Sequence, residues 1–219
     1  MILCRVNRVA RFSSSTSWTC LARAVNLPGC AFLSTSPEPP SSIQPVLKLP
    51  KKAALPLATA DICDANSHLI TSGELRALQP IFKVYGRRQV FAGPIVTVKV
   101  FEDNVLVREF LEEKGQGRVL MVDGGGSLRC AILGGNLAQL AQNNAWAGIV
   151  VNGCIRDVDE ISGCDIGVRA LGSHPMKSNK KRMGEKHVPL TIAGTKVCDG
   201  EWLCADTDGI LVSRNELIG

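Results

Sequence analysis

Residues 133–159 read LGGNLAQLAQNNAWAGIVVNGCIRDVD, and the rest of the chain is best understood around them. The pair Gly134-Gly135 opens a segment whose apolar residues Leu137, Leu140 and Ala141 recur at helical spacing. The run Ile149-Val150-Val151 is short, apolar and β-branched, the pattern of a buried strand. Directly after it come Arg156 and Asp157, a cation and an anion at the expected carboxyl end of that strand. Ligands of α/β sheets gather at that end. A helix N-terminus opened by glycine turns N–H groups toward an anion. Arginine grips a carboxylate through two parallel hydrogen bonds, and aspartate offers a hard oxygen to Mg2+ or Mn2+. The stretch points to a metal-assisted site for a small keto acid.

Working outward, Val119–Asp123 is a continuous apolar strand closed by Gly124-Gly125-Gly126. Together with the helix over about 136–146 and the strand over about 148–152, it implies a parallel βαβ unit with a right-handed crossover. Farther upstream the text predicts a helix at Thr59–Ala65 capped by Thr59, a strand at Gln89–Phe91 and a turn at Gly93-Pro94. The alternating run Ile95–Val100 is a strand, and Asn104–Lys114 is an amphipathic helix ended by Gly115-Gln116-Gly117. Downstream, Val188–Ile192, Gly194–Val197 and Ile210–Val212 alternate with the turns Asp199-Gly200 and Asp208-Gly209, the text of antiparallel hairpins. Between them lies a basic loop, Lys177–His187, whose charge reads as a solvated face. Trp146 and Trp202 read as core.

The first 36 residues read differently. They are Ser-rich, free of acids and carry Arg5, Arg8, Arg11 and Arg23, the composition of an organelle transit peptide. The recurrent arginines favour a mitochondrial address, with a plastid as the alternative, or the cytoplasm if the segment is no transit peptide. Residues 37–56 form a Pro-rich linker, and the folded domain is expected over 57–219. Residues 1–50 hold five cations against the single acid Glu38, so about four of the net charge of +5 sit there and the folded body is nearly neutral. That distribution does not favour a nucleic-acid partner. No run approaches the roughly 20 apolar residues of a membrane span. Nine scattered cysteines without a C-x-x-C pair fit neither a disulfide framework nor a zinc cage, and read as reduced thiols.

Several motifs, taken in order, resemble a known family. They are Phe101-Glu102-Asp103-Asn104, the run from Gly117 through Val119-Leu120-Met121-Val122-Asp123 to Gly126, Gly148–Gly153, and Ile155-Arg156-Asp157. The tail adds Asp199-Gly200-Glu201-Trp202, Ala205-Asp206 and Gly209–Ser213. Together they resemble the RraA-like family, which holds class II 4-hydroxy-4-methyl-2-oxoglutarate aldolases and the bacterial regulators of ribonuclease E activity, and the wording is closest to its plant branch. The resemblance implies an α/β, three-layer β/β/α fold of the swivelling-domain type around a central βαβ unit, assembled as a homotrimer. It implies a metal-dependent lyase, using Mg2+ or Mn2+, that cleaves 4-hydroxy-4-methyl-2-oxoglutarate to two pyruvates or decarboxylates oxaloacetate. By position, Gly134, Gly135, Asn136 and Leu137 match the substrate-binding turn, Arg156 the substrate-gripping arginine, and Asp157 the metal ligand. Aldolases of the family carry an aspartate 21 residues before that arginine, where this chain has Gly135. Aldol cleavage needs a base for the 4-hydroxyl proton, whereas decarboxylation of a β-keto acid needs only stabilisation of the enolate. The alternative is a non-enzymatic regulator that binds and inhibits an RNA-processing ribonuclease. Asp123 and Arg129 are further candidates beside the Gly124–Gly126 turn; His174 and His187 are weaker ones for a metal.

Overall fold

The computed structural model describes residues 58–217. The expected transit peptide and the whole of the expected linker lie outside the described residues. Two short helices, α1 (Thr59–Ala65) and α2 (Ser67–Ser72), lead into strands β1 (Leu75–Ala77) and β2 (Lys83–Tyr85). The long strand β3 (Phe91–Val100) is followed by helix α3 (Val105–Glu112), β4 (Val119–Asp123), β5 (Ala131–Leu133), helix α4 (Gly135–Asn143) and β6 (Gly148–Ile155). Helix α5 (Val158–Gly163) and β7 (Gly167–Ser173) complete a second strand–helix–strand unit. The C-terminal strands are β8 (Gly184–Lys186), β9 (Leu190–Ile192), β10 (Thr195–Val197), β11 (Trp202–Ala205) and β12 (Ile210–Ser213).

The βαβ expectation holds. Strands β3, β4, β6 and β7 run parallel in that order, and β5 adds in parallel to the far end of β6. Strand β7 reads from sequence only as an apolar piece. Because side chains alternate along a strand, the parallel sheet has two apolar faces. Val98, Leu120, Val122, Ile149, Val151 and Val168 face helices α3, α4 and α5 through Phe110, Leu111, Leu137, Ala141 and Ile161. On the other face, Ile95, Val119, Met121 and Val150 pack on Leu190, Ile192, Val197, Leu203 and Val212 of the C-terminal strands. The result is helices, parallel sheet and antiparallel strands in three layers, as expected.

Two local readings differ. Gly93-Pro94 lies inside β3 rather than in a turn. There β3 changes partners: Phe91–Pro94 pairs with β11, and Ile95–Lys99 with β4. A proline without an N–H is tolerated at such a switch, and Gly93 is required because a Cβ would stand 2.0 Å from the Gly117 carbonyl oxygen. Thr59 is not the cap of α1; Ala58 is. The Thr59 hydroxyl and N–H both donate to the buried Asp206 carboxylate, at 2.8 and 2.7 Å, pinning α1 to the β11–β12 turn. Asp206 also accepts from the Asp208 and Gly209 N–H groups. Together these donors hold its carboxyl below the usual range against the opposing effect of burial.

Arg169 on β7 is 2% exposed. Its guanidinium donates to the carbonyls of Gln89 (2.6 Å), Asp206 (2.7 Å) and Val168 (3.2 Å) and lies 5.2 Å from the centre of the Phe91 ring. Burial pushes its pKa down to about 10, opposed by the Asp206 charge. Arg169→Ala removes three charge-assisted donors and leaves a cavity, so unfolding free energy should fall by about 3 kcal/mol. A denaturation midpoint equal to that of the wild type would contradict this role.

Candidate active site

The site forms where β6 ends and α4 begins. Backbone pairing carries the chain to it: the Arg156 N–H donates to the Leu133 carbonyl at 2.9 Å, joining the end of β6 to the end of β5. Asp157 then turns into α5 with φ 58° and ψ 49°, a left-handed conformation that is uncommon for a residue with a side chain. Such strain gathers at functional sites. The turn folds Asp157 back over the start of α4, where its Oδ2 accepts a hydrogen bond from the Gly135 N–H at 3.2 Å. Arg156 Nε lies 3.4 Å from the same oxygen.

At both positions of the helix start, neighbouring side chains pack where a Cβ would project. A Cβ on Gly134 would stand 2.9 Å from Asp157 Oδ2 and 3.3 Å from Arg156 Nε, and one on Gly135 would stand 1.9 Å from Glu160 Oε2. The N–H of Leu137 is satisfied by the Gly134 carbonyl at 3.0 Å, and its side chain is buried in the core. The Asn136 N–H has no acceptor among the described residues and is the donor left for an anion at this turn.

A cavity of about 160 Å3 opens here. Gly134, Asn136, Leu137, Arg156 and Asp157 line it, so five of the six residues expected from sequence meet in one place, with Gly135 directly behind them. The structure adds cations that the sequence hid. Arg108 comes from α3, and Lys177 and Lys180 come from the basic loop read as a solvated face. Ser178 lines the same wall; it is 6% exposed and its hydroxyl has no partner among the described residues. A buried polar atom of this kind awaits a ligand or a water.

The basic loop reaches the site through backbone pairing. The Ala131 N–H donates to the Met176 carbonyl and the Ser178 N–H to the Ala131 carbonyl, at 2.8 and 3.2 Å. Buried Asp103 anchors the loop from the other side. It accepts from the Lys181 N–H with one oxygen and from the Val105 N–H, at the start of α3, with the other. No local sequence pattern signals the contacts of the loop with Ala131 and Asp103, because those partners are more than 40 residues apart.

Other candidates fall outside. Asp123 shapes the glycine turn by accepting from the Gly125 N–H and the Asn152 side-chain amide. Arg129 is paired with Glu102 at 2.6 Å, which holds the Glu102 carboxyl below its usual range. His187 pairs with Asp199 at 3.0 Å. His174 borders Arg156 and Asp157 in a separate depression, where its Nδ1 accepts from the Met176 N–H. No group of three or more His, Cys, Asp or Glu residues positioned to hold a metal occurs among the described residues. Trp146 is core, its indole N–H bonded to the Glu113 carbonyl, whereas Trp202 is half-buried. Burial pushes the thiols of Cys130, Cys154, Cys164 and Cys204 up, as expected of inert cysteines.

Comparison with known proteins gives the family. The family model described as RraA-like, Aldolase/RraA, matches residues 59–212. The chain belongs to the RraA-like family. It is 74% identical over 161 residues to an Arabidopsis thaliana protein named "Putative 4-hydroxy-4-methyl-2-oxoglutarate aldolase 2", a match that covers 74% of this chain and 97% of that relative. A Burkholderia multivorans protein with the same aldolase name is 56% identical, covering 73% of this chain and 98% of its own length. Among solved structures, the RNA-processing inhibitor RraA from Thermus thermophilis superposes with a TM-score of 0.70 at 47% identity, covering 75% of this chain and 97% of that one. The RraA-like fold expected from the motifs is therefore the fold observed. Among the described residues, no helix is long and apolar enough to cross a membrane.

The loop that brings Lys177 and Lys180 to the cavity is held farther along by Glu109. Its carboxylate meets Arg182 Nε at 2.7 Å and Lys186 Nζ at 3.0 Å, and Arg182 first, then Lys186, draw its pKa from 4.5 down to about 2. A depressed carboxyl pKa contributes stability above the unfolded-state value and loses it as pH falls toward the folded-state value. Wild type should therefore melt above Glu109→Gln at pH 6, and the gap should close between pH 4.5 and 2. A gap that is constant across that window would refute the pairing.

Proposed function

We propose that this RraA-like protein is a divalent-metal-dependent lyase that breaks a C–C bond in a small dicarboxylic keto acid and releases pyruvate. The observation that carries the reading is the cavity itself. Four cationic side chains, the Asn136 N–H and an unpartnered Ser178 hydroxyl surround one carboxylate, Asp157. Dianions such as 4-hydroxy-4-methyl-2-oxoglutarate and oxaloacetate match that charge. The aldolase names of the close relatives support the same class of reaction.

The donor set fits Mg2+ or Mn2+. Asp157 Oδ2 is engaged by Gly135 and Arg156, while its other oxygen accepts no hydrogen bond from the described residues and the side chain is 36% exposed. A single carboxylate suits hard ions that keep several waters and take further oxygens from substrate. It does not suit zinc, which wants three or four protein ligands. A metal held by Asp157 supplies Lewis-acid polarisation of a keto oxygen.

The chain's own residues do the rest. Arg156 holds a carboxylate in two-pronged fashion and offsets negative charge that develops on the pyruvyl oxygen. The N–H of Asn136 and the positive end of α4 hold the same end of the molecule. Lys177, Lys180 and Arg108 attract the distal carboxylate, and Ser178 donates to it. Decarboxylation of oxaloacetate asks nothing more of the protein, because the electrons of the breaking bond pass into the held enolate.

We further propose a homotrimer. Phe101 and Met183, both mostly exposed, stand among charged residues around a larger cavity of about 430 Å3 on the neighbouring surface, and two such exposed apolar side chains suit contact with another copy. A second reading, inhibition of an RNA-processing ribonuclease, is favoured by the likeness to the RNA-processing inhibitor from Thermus thermophilis. Retention of Asp157 favours the enzyme, since a regulator needs no metal ligand. The address of residues 1–36 is proposed to be mitochondrial on composition alone.

The test is pyruvate release from oxaloacetate with MgCl2 or MnCl2, read through lactate dehydrogenase. Asp157→Ala should lose the metal-stimulated rate by at least about 100-fold while the size of the assembly is kept. EDTA should do the same to wild type. Ser178→Ala should raise KM several-fold with kcat little changed. Asp157→Ala at the wild-type rate in excess EDTA would overturn the metal assignment, and no metal-stimulated pyruvate from either substrate would favour the regulator.

A further inference from the structure

Two residues of the site, Arg156 and Asp157, also form one wall of a second depression, of about 230 Å3. Its other wall is Ser173, His174 and Pro175, where β7 ends. The register of the sheet brings His174 there. Ile155 of β6 is paired with Ser173 of β7, and the His174 N–H donates to the Ile155 carbonyl at 2.8 Å. The residues that follow this pair, Arg156 and His174, are therefore neighbours across two parallel segments of chain. The His174 ring is held at one end, where Nδ1 accepts from the Met176 N–H at 3.2 Å. A main-chain N–H can only donate, so Nδ1 is unprotonated and the neutral ring carries its hydrogen on Nε2. Nε2 has no hydrogen-bond partner among the described residues, and the residue is half-buried. An N–H donor with a fixed tautomer thus stands beside the arginine and the carboxylate of the site.

We propose that His174 is a further residue of the reaction site, donating its Nε2–H to the oxygen on which enolate charge develops. The assignment rests on the function proposed above. In that reading the electron pair of the breaking C–C bond passes into the enolate of pyruvate, and the keto oxygen gains the charge. Arg156 and Asp157 are common to the cationic cavity and to the depression. A molecule held by them is met from the cavity by Lys177 and Lys180, and from the depression by His174. The ring keeps its proton throughout. What it contributes is a hydrogen bond aimed at developing charge, which stabilises the transition state more than the bound substrate. A neutral donor suits the place, since it adds no further cation to the four that already line the cavity. The lysines and His174 thereby divide the substrate. The lysines attract a distal carboxylate that pyruvate lacks, whereas His174 attends to the enolate that pyruvate itself can form.

A purely structural His174 would have one task, to hold the turn at Met176 through Nδ1. Two substitutions separate the roles, because each keeps one end of the ring. Asn keeps an acceptor near the place of Nδ1 and loses the Nε2 donor; Gln keeps a donor near the place of Nε2 and loses the acceptor. The experiment uses the full-length protein with MgCl2. It follows pyruvate release from oxaloacetate, and the exchange of pyruvate methyl protons with D2O by NMR, which passes through the same enolate without breaking a C–C bond. His174→Asn should lower kcat for release, and the exchange rate, by about 100-fold, the usual loss for one donor at a developing oxyanion. KM should stay within about threefold of wild type. His174→Gln should keep both rates within about tenfold of wild type. Wild-type rates in His174→Asn, or equal losses in the two variants, overturn the assignment and leave Arg156 and Asp157 in place. The 15N resonances of the wild-type ring with pyruvate bound decide the matter even where a variant does not fold. A bare Nδ1 and a protonated Nε2 are expected, and the opposite tautomer or an imidazolium overturns the assignment. Wild type that neither releases pyruvate nor exchanges its protons overturns the proposed function, and His174 with it.

Discussion

The hydrogen bond from the Gly135 N–H to Asp157 Oδ2 is the contact on which the arrangement depends. It closes the end of β6 onto the start of α4, two segments separated by a full helix and strand. It forms where Asp157 takes a left-handed backbone, and the side chains of Asp157 and Glu160 pack close against Gly134 and Gly135, which carry no Cβ. With both glycines bare, the side chains of Arg156, Asp157 and Glu160 lie against the helix opening instead of being held away from it. A helix start normally leaves its first N–H groups without partners. Here Asp157 takes one of them, the Gly134 carbonyl takes that of Leu137, and the N–H of Asn136 is left for an incoming anion.

The layers of the fold exist in the service of that junction. Parallel strands β4, β6 and β7 end on the same side, and β5 extends the sheet only beside the end of β6. The paired segment after β7 is then held against Ala131, which carries Lys177, Ser178 and Lys180 to the cavity wall. Asp103 fixes both the start of α3, and so Arg108, and the loop at Lys181. One buried carboxylate thus sets the position of cations from two distant parts of the chain. The C-terminal strands do not enter this cavity; their contribution is to bury the opposite face of the sheet.

How much of this is legible in sequence follows from the range of each interaction. The βαβ unit is legible because apolar spacing changes from helical to continuous within residues 133–159, and Val119–Asp123 has no other reading. Arg156 and Asp157 are legible because they immediately follow a strand. Lys177, Lys180 and Ser178 are not, since a basic loop carries no mark of where it docks. Ser178 is recognisable only once its hydroxyl is seen to be buried without a partner. Gly93-Pro94 misleads for a definite reason: the pair has turn chemistry, but β3 passes through it by changing partners. Thr59 likewise has the chemistry of a cap and spends its hydroxyl on Asp206, 147 residues away. Gly135 is the most instructive position. Its lack of a side chain looks like a lost group until Glu160 is found in the same volume.

The central claim is that Asp157 makes this junction a metal site, rather than a helix start decorated with an ion pair. Mn2+ binding to the full-length protein, read by electron paramagnetic resonance in the presence and absence of pyruvate, tests it without relying on turnover. The account predicts that wild type binds Mn2+ saturably, that pyruvate tightens the binding, and that Asp157→Ala abolishes both effects while the protein stays folded. Identical Mn2+ titrations for wild type and Asp157→Ala would contradict it.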